Sequence, residues 1–373
     1  MSTQRLLLIL LVLGTTTCAP VACKAGTASA DTTAQILEGI RLHDVGRYDD
    51  AIAVYRQVLE IDSSNFRALY EIAHSTLAKG DPAGAIPWVE RALSLGPPNK
   101  NEFYQLLGVA REATGDLVRA EDAFRQAIAA RPDRAPLHFS LGITLMKQGR
   151  FDAAMKAFED NLVLRPNHTS GWLALAEMLE RKGSHARMFA AHVRFLTLET
   201  DPDRSRRSAA LLWPLLFQWT QLQEGRVQMR VPPPEPKPSA QYTENLFMAL
   251  VAAARYKQDW ASKSDAAYFA YALDQLLGFL SENHVKAGGD ALWGPYVFAY
   301  FDGAREAGHI EALAYVVRRS TGDGDIIRWL RENTGAVDRY QAWSAQWSSR
   351  LQTPPQDTGV WTTPRKPSGE TLR

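Results

Sequence analysis

Residues 135–168 read APLHFSLGITLMKQGRFDAAMKAFEDNLVLRPNH, and the fold turns on how this stretch is read. Leu141, Leu145, Phe151, Ala154 and Phe158 recur at helical spacing on either side of Gly149, which predicts two amphipathic helices with these five residues in the core. Glycine between two such runs ends the first helix, because only glycine enters the left-handed conformation at no steric cost. Gly142 lies inside the first run, where a small residue lets the second helix approach closely. Pro166 breaks the chain before the next run begins.

The same pattern recurs on both sides of this stretch. Gly46, Gly80, Gly115, Gly149 and Gly183 are spaced 34, 35, 34 and 34 residues apart. They define repeats at 32–65, 66–100, 101–134, 135–168 and 169–202. Seven residues before each glycine stands Gly39, Ala73, Gly108, Gly142 or Ala176. Five residues after the first four stands Ala51, Ala85, Ala120 or Ala154. Pro97, Pro132, Pro166 and Pro202 close the repeats. Repeat five departs, with Met188 in place of the alanine and His192 in place of an aromatic, as terminal capping repeats do.

This framework resembles the tetratricopeptide repeat family over residues 32–202. The resemblance implies stacked helix pairs stabilised by neighbouring interfaces, with an inner groove lined by the first helix of each repeat. In that family the ligand-facing positions are the second, fifth, ninth, twelfth and thirteenth of each repeat. Carried onto this chain they include Arg67, Tyr70 and His74 in repeat two, and Glu102, Gln105 and Glu112 in repeat three. Repeat four supplies Phe139, Met146 and Lys147, and repeat five supplies Ser170, Glu177, Glu180 and Arg181. Tyr70 and Phe139 are the aromatic anchors of a groove suited to an extended peptide or a partner helix. The resemblance does not extend to the chaperone-tail clamp, which needs Asn where Ile40, His74 and Val109 stand.

Beyond the repeats the sequence remains helical. Residues 204–230, with Arg204, Arg206, Arg207 and the run SAALLWPLLFQWTQLQ, read as a helical cap that Pro214 kinks or splits. VPPPEPKPSAQ at 231–241 reads as a stiff connector and a domain boundary. Residues 242–350 read as a second helical domain, in which Asp325 caps the helix IIRWLREN. Residues 351–373 lack apolar periodicity and read as a disordered tail. Eight of the ten tryptophans fall in this half, which favours inter-helix packing over an aromatic binding platform. No strand-rich region is expected, so the fold class is all-α: a repeat solenoid followed by a Trp-rich helical domain.

The N-terminus reads as an address. Arg5, the apolar run Leu6–Leu13 and the small-x-small site Ala28-Ser29-Ala30 predict a bacterial-type secretory signal over residues 1–30. The alternative is lipidation at Cys23 or Cys18, which would anchor the chain to a membrane. Cleavage after Ala30 would remove both cysteines, Arg5 and Lys24. It would leave a periplasmic or secreted chain with neither disulfide nor thiolate chemistry. The whole chain has 42 Lys+Arg against 41 Asp+Glu, which gives no basic surplus for nucleic acid. With 46% hydrophobic and 22% charged residues, the composition is that of a globular protein.

No His-Glu-x-x-His, P-loop or Gly-x-Ser-x-Gly motif occurs. Glu71-x-x-His74 and Glu306-x-x-His309 have a spacing used in di-iron bundles but lie in different segments, and Asp323-Gly-Asp325 lacks the closing Glu of a calcium loop. No catalytic residue, metal site or cofactor is therefore expected. The sequence leads to an exported adaptor of the bacterial cell envelope that binds proteins or peptides. The alternative is an enzyme whose repeats recruit substrate and whose chemistry uses Asp302, Glu306 and His309.

Overall fold

The computed structural model describes residues 22–232, 239–260, 263–286 and 290–350. Most of the expected signal segment, the centre of the proline-rich connector and the C-terminal tail lie outside them. The chain forms two compact bodies, residues 1–114 and 115–373, and the division falls between the two helices of repeat three.

In the first body, α1 (Ala22–Asp44) pairs with α2 (Tyr48–Ile61), α3 (Phe66–Ala78) with α4 (Pro82–Ser94), and α5 (Lys100–Ala113) packs on α4. The second body opens with α6 (Leu117–Ala130). The pairs α7 (Ala135–Lys147) with α8 (Phe151–Leu164) and α9 (Thr169–Arg181) with α10 (His185–Leu198) follow. Within each body every one of these helices packs on the next, the stacking of a repeat solenoid. Local chemistry starts and stops them. Asn65, Asp81 and Asp116 accept backbone N–H bonds at the starts of α3, α4 and α6. The turn glycines all adopt positive φ, +76° at Gly149.

The glycine of repeats one and four faces the ring of its second helix. A Cβ built on Gly142 would lie under 3.0 Å from three carbons of the Phe158 ring, and one on Gly39 would meet Tyr55 in the same way. Both rings are fully buried. One expected core residue is not in the core: Phe151 is 37% exposed and lies under the Arg181 guanidinium at 4.5 Å. It begins α8, so its face is solvated where the helix starts.

Repeat five is not an end cap. Helix α10 is surrounded by α9, α11 (Pro202–Phe217) and helices from beyond the connector. Met188, Phe189, Val193 and Phe195 are all buried. His192 is partly buried among them; this burial, and secondarily Arg207, lowers its pKa from 6.5 to about 4. Its Nδ1 lies 3.2 Å from Ser208 Oγ.

After α11 the structure departs from the helical expectation. Helix α11 runs unbroken through Pro214, and a hairpin follows, with β1 (Thr220–Gln223) antiparallel to β2 (Arg226–Met229). Glu224 and Gly225 form its two-residue turn, both with positive φ, the geometry that suits a tight hairpin. The signal was TQLQ and RVQM around Glu-Gly, obscured by the apolar run before it.

Beyond the connector come α12 (Ala240–Ala253), α13 (Asp265–Lys286), α14 (Ala299–Glu306), α15 (Ile310–Val317), α16 (Gly324–Glu332) and α17 (Thr334–Arg350). A single π-helical turn, Gly294–Phe298, leads into α14. Asp323 caps α16, rather than Asp325, by accepting from the N–H groups of Asp325 and Ile326. Helices from this segment pack directly on the last repeat. Arg187 donates to both carboxylate oxygens of Glu244 at 3.1–3.2 Å through Nε. Asn245 accepts from Ala186 N–H at 3.2 Å and donates to Gly183 O at 2.7 Å. The connector is therefore not a boundary between separately packed domains. The tryptophans serve this packing: Trp293 is buried edge-on to Trp172, and Trp343 and Trp347 close over Gly303 beside Tyr300.

Two outcomes are expected. Gly142→Ala forces the new methyl into Phe158 and should destabilise the second body by about 1–3 kcal/mol; urea unfolding with an unchanged midpoint would contradict the packing. His192 is held neutral in the fold, so its contribution is complete above pH 6.5 and lost as pH falls from 6.5 toward 4. At pH 5 this amounts to about 2 kcal/mol, and His192→Phe should flatten the corresponding stretch of the stability–pH curve.

Candidate functional site

In the first body α1, α3 and α5 lie side by side and carry a continuous ladder of rings. His43 on α1 stacks on His74 of α3, with centroids 4.6 Å apart and planes 20° apart. Tyr70 lies 5.9 Å from His74 and meets Phe103 of α5 edge-on at 5.6 Å. Phe66 contacts the same Phe103 ring at 6.4 Å. Phe103 is buried and anchors the ladder, whereas Tyr70, His74 and His43 are half-buried and reach the surface.

The polar groups around the ladder are ordered. Glu71 is buried beneath it, 2.8 Å from Arg67 and 3.9 Å from His74 Nδ1. The Arg67 side chain remains 61% exposed. His43 Nδ1 lies 2.8 Å from Ser75 Oγ, and Ser75 is itself fully buried. Burial lowers the His43 pKa, helped by His74 and opposed by Glu71 and Asp44. Burial also raises the Tyr70 phenol, reinforced by Glu102 and Glu71. Glu102 is exposed on α5, and Gln105 and Glu112 are half-buried along the same helix.

The second body holds the remaining sequence-derived positions. Phe139 meets His168 edge-on at 4.7 Å and leans on Phe158 at 5.7 Å. Asn161 fixes that arrangement by donating to Ala135 O at 2.8 Å, with its Oδ1 2.7 Å from His168 Nδ1. Lys147 is exposed at the end of α7. Glu177 pairs with Arg181 at 3.3 Å, so these two stabilise one another on the surface of α9.

Tyr70 and His74 are thus brought together, and the structure adds His43, Phe66 and Phe103 to them. His43 occupies the twelfth position of repeat one, so the register used for the later repeats would have found it. Phe66 and Phe103 stand outside the ligand-facing positions. They enter the ladder because adjacent first helices pack closely enough for ring edges to meet.

The residues of the enzyme alternative are used otherwise. Asp302 accepts from Ser281 Oγ at 2.6 Å and from Arg305 at 3.0 Å. Glu306 is exposed, and His309 packs against Trp343 with centroids 5.5 Å apart. Among the described residues no group of three His, Cys, Asp or Glu side chains is placed to hold a metal ion. No described helix is long and apolar enough to cross a membrane.

Comparison with known proteins fits this architecture. Tetratricopeptide repeat profiles match residues 36–100 and 113–179. Tetratricopeptide repeat protein 8 of Caenorhabditis elegans is 24% identical over 145 residues, 37% of this chain and 28% of that protein. Human tetratricopeptide repeat protein 7A is 25% identical over 111 residues, 30% of this chain and 13% of its own length. The chain thus spans less than a third of either relative. Among solved structures, a crystal structure of MamA protein matches 48% of this chain and 96% of its own, with 24% identity and a TM-score of 0.43. YrrB, described as a tetratricopeptide repeat protein with an unusual peptide-binding site, matches 49% of this chain and 95% of its own, with 20% identity and a TM-score of 0.41.

Proposed function

We propose that this chain, whose residues 36–100 and 113–179 are tetratricopeptide repeats, is an exported adaptor that holds a protein partner in the bacterial cell envelope. The observation that carries this reading is the ring ladder His43–His74–Tyr70–Phe103–Phe66, a half-exposed aromatic surface built across three adjacent helices. Aromatic rings fixed by their neighbours lose little entropy when a partner side chain covers them, which is why they serve as anchors. A rigid helical backbone holds the ladder, so docking there costs little reorganisation.

The fifth repeat supports a division of labour. Its second helix is covered by the C-terminal helices, which leaves the early repeats as the available docking surface. The C-terminal helices then act as a packed end to the array, and their tryptophans belong to that packing. Export rests on the N-terminal pattern of Arg5, the leucine-rich run and Ala28-Ser29-Ala30. Lipidation at Cys23 or Cys18 is the anchored form of the same proposal.

Selection of displayed random dodecapeptides on the full chain tests the docking role. Selected peptides should bind the Tyr70→Ala variant at least about tenfold more weakly; unchanged affinity would overturn the reading, provided the variant keeps its helical circular dichroism. Fractionation of a bacterial host tests the location, with a mature N-terminus at Asp31 expected in the periplasm. An uncleaved chain in the cytoplasm would contradict export.

A further inference from the structure

The ring ladder of the first body sits in an acidic setting. Asp44 ends α1 beside His43 and acts on its charge. Glu71 lies beneath His74, and Glu102 stands on α5 close enough to raise the Tyr70 phenol. Arg67 is the single permanent cation among these groups, and its charge is matched by Glu71 at 2.8 Å. Asp44 and Glu102 have no ion-pair partner among the described residues. Two uncompensated carboxylates thus flank a row of rings, and histidine is ordinarily neutral at pH 7.5.

We propose that this surface takes an extended basic segment, placing a Lys or Arg side chain over Tyr70 and His74 between Asp44 and Glu102. The partner class rests on the ladder being a docking face. A cation is attracted both to the faces of aromatic rings and to carboxylates, and here Glu102 acts at the Tyr70 end of the ladder and Asp44 at the His43 end. An acidic segment would face two uncompensated like charges. A purely apolar one would leave Asp44 and Glu102 to be covered without a partner, at a desolvation cost.

The stacked histidines make the capture depend on pH. Beside the His43–His74 pair lie Asp44 from α1, Tyr48 from α2, and Tyr70, Glu71 and Ser75 from α3. Tyr48 meets the His43 ring edge-on at 5.2 Å. Protonating either ring places a positive charge beside the bound cation and removes the aromatic face that held it. A bound cation in turn disfavours imidazolium, so binding and protonation oppose each other. Affinity therefore falls as acidification charges His43, which burial keeps neutral to lower pH than an exposed histidine.

The test is display selection of random dodecapeptides on the full chain at pH 7.5, followed by affinity measurements on individual synthetic peptides at pH 7.5 and 5.5. Peptides that depend on Tyr70 should be enriched in Lys and Arg. Their affinity should be lower at pH 5.5 than at pH 7.5, by up to about tenfold. The His43→Gln/His74→Gln variant should lose most of that pH dependence, while at pH 7.5 Asp44→Asn/Glu102→Gln weakens binding of the same peptides about tenfold. Tyr70-dependent peptides that are acidic or uncharged would overturn the basic-segment assignment and leave the docking face intact. So would a pH profile unchanged in the double-histidine variant. Failure to select any Tyr70-dependent peptide would overturn both.

Discussion

In repeats one and four the helix pair depends on one steric constraint, the seating of a second-helix ring against a first-helix glycine that has no room for a side chain. Phe158 sits on Gly142 and Tyr55 on Gly39. The ring buries its whole area only because the opposing backbone is bare, and that close approach fixes how far apart the two helices of a repeat lie. Once the pair is set, the turn glycine and the cap residues set its length. Within each body the helices then stack in sequence, and in the first body the first helices lie near enough for His43, His74, Tyr70 and Phe103 to touch. The candidate site is thus a consequence of the packing rule and not an addition to it.

The last repeat meets the helices beyond the connector through contacts of another kind. At repeat five the ring position holds His192, and the helix that carries it is enclosed by α11 and the helices beyond the connector. This histidine is partly buried, with its Nδ1 3.2 Å from Ser208 Oγ. Arg187 with Glu244, and Asn245 at the Gly183 turn, add polar contacts to an apolar junction that includes Trp293 on Trp172 and Phe189 on Phe269. Charged and amide groups at such a junction fix register as well as contact, because each buried donor must meet a particular acceptor.

Much of this was legible in the sequence. The glycine spacing fixed the helix pairs, because left-handed turns select glycine irrespective of context. Tyr70 and His74 were legible from their register. The hairpin at Thr220–Met229 was not, because a two-residue Glu-Gly turn is a short signal beside a sixteen-residue helix. Pro214 misled in the same region, since a proline can stay inside a helix whose neighbours compensate for it. Phe103 and Phe66 escaped because ring-to-ring contact across repeats depends on inter-helix distance, which no single repeat encodes. The exposure of Phe151 follows from its place at the start of α8, where periodicity counts it with the core but the chain has not yet entered it.

These threads join at one surface: the first helices of the early repeats present rings, where the proposed partner would dock. Hydrogen exchange of the full chain, with and without a peptide selected on it, reads that surface directly. Protection concentrated in Phe66–Ala78 and Lys100–Ala113, with Tyr48–Ile61 and Pro82–Ser94 unchanged, is the result this account predicts. Protection confined to the second helices of the repeats, or to the tryptophan-rich helices beyond residue 239, would contradict it.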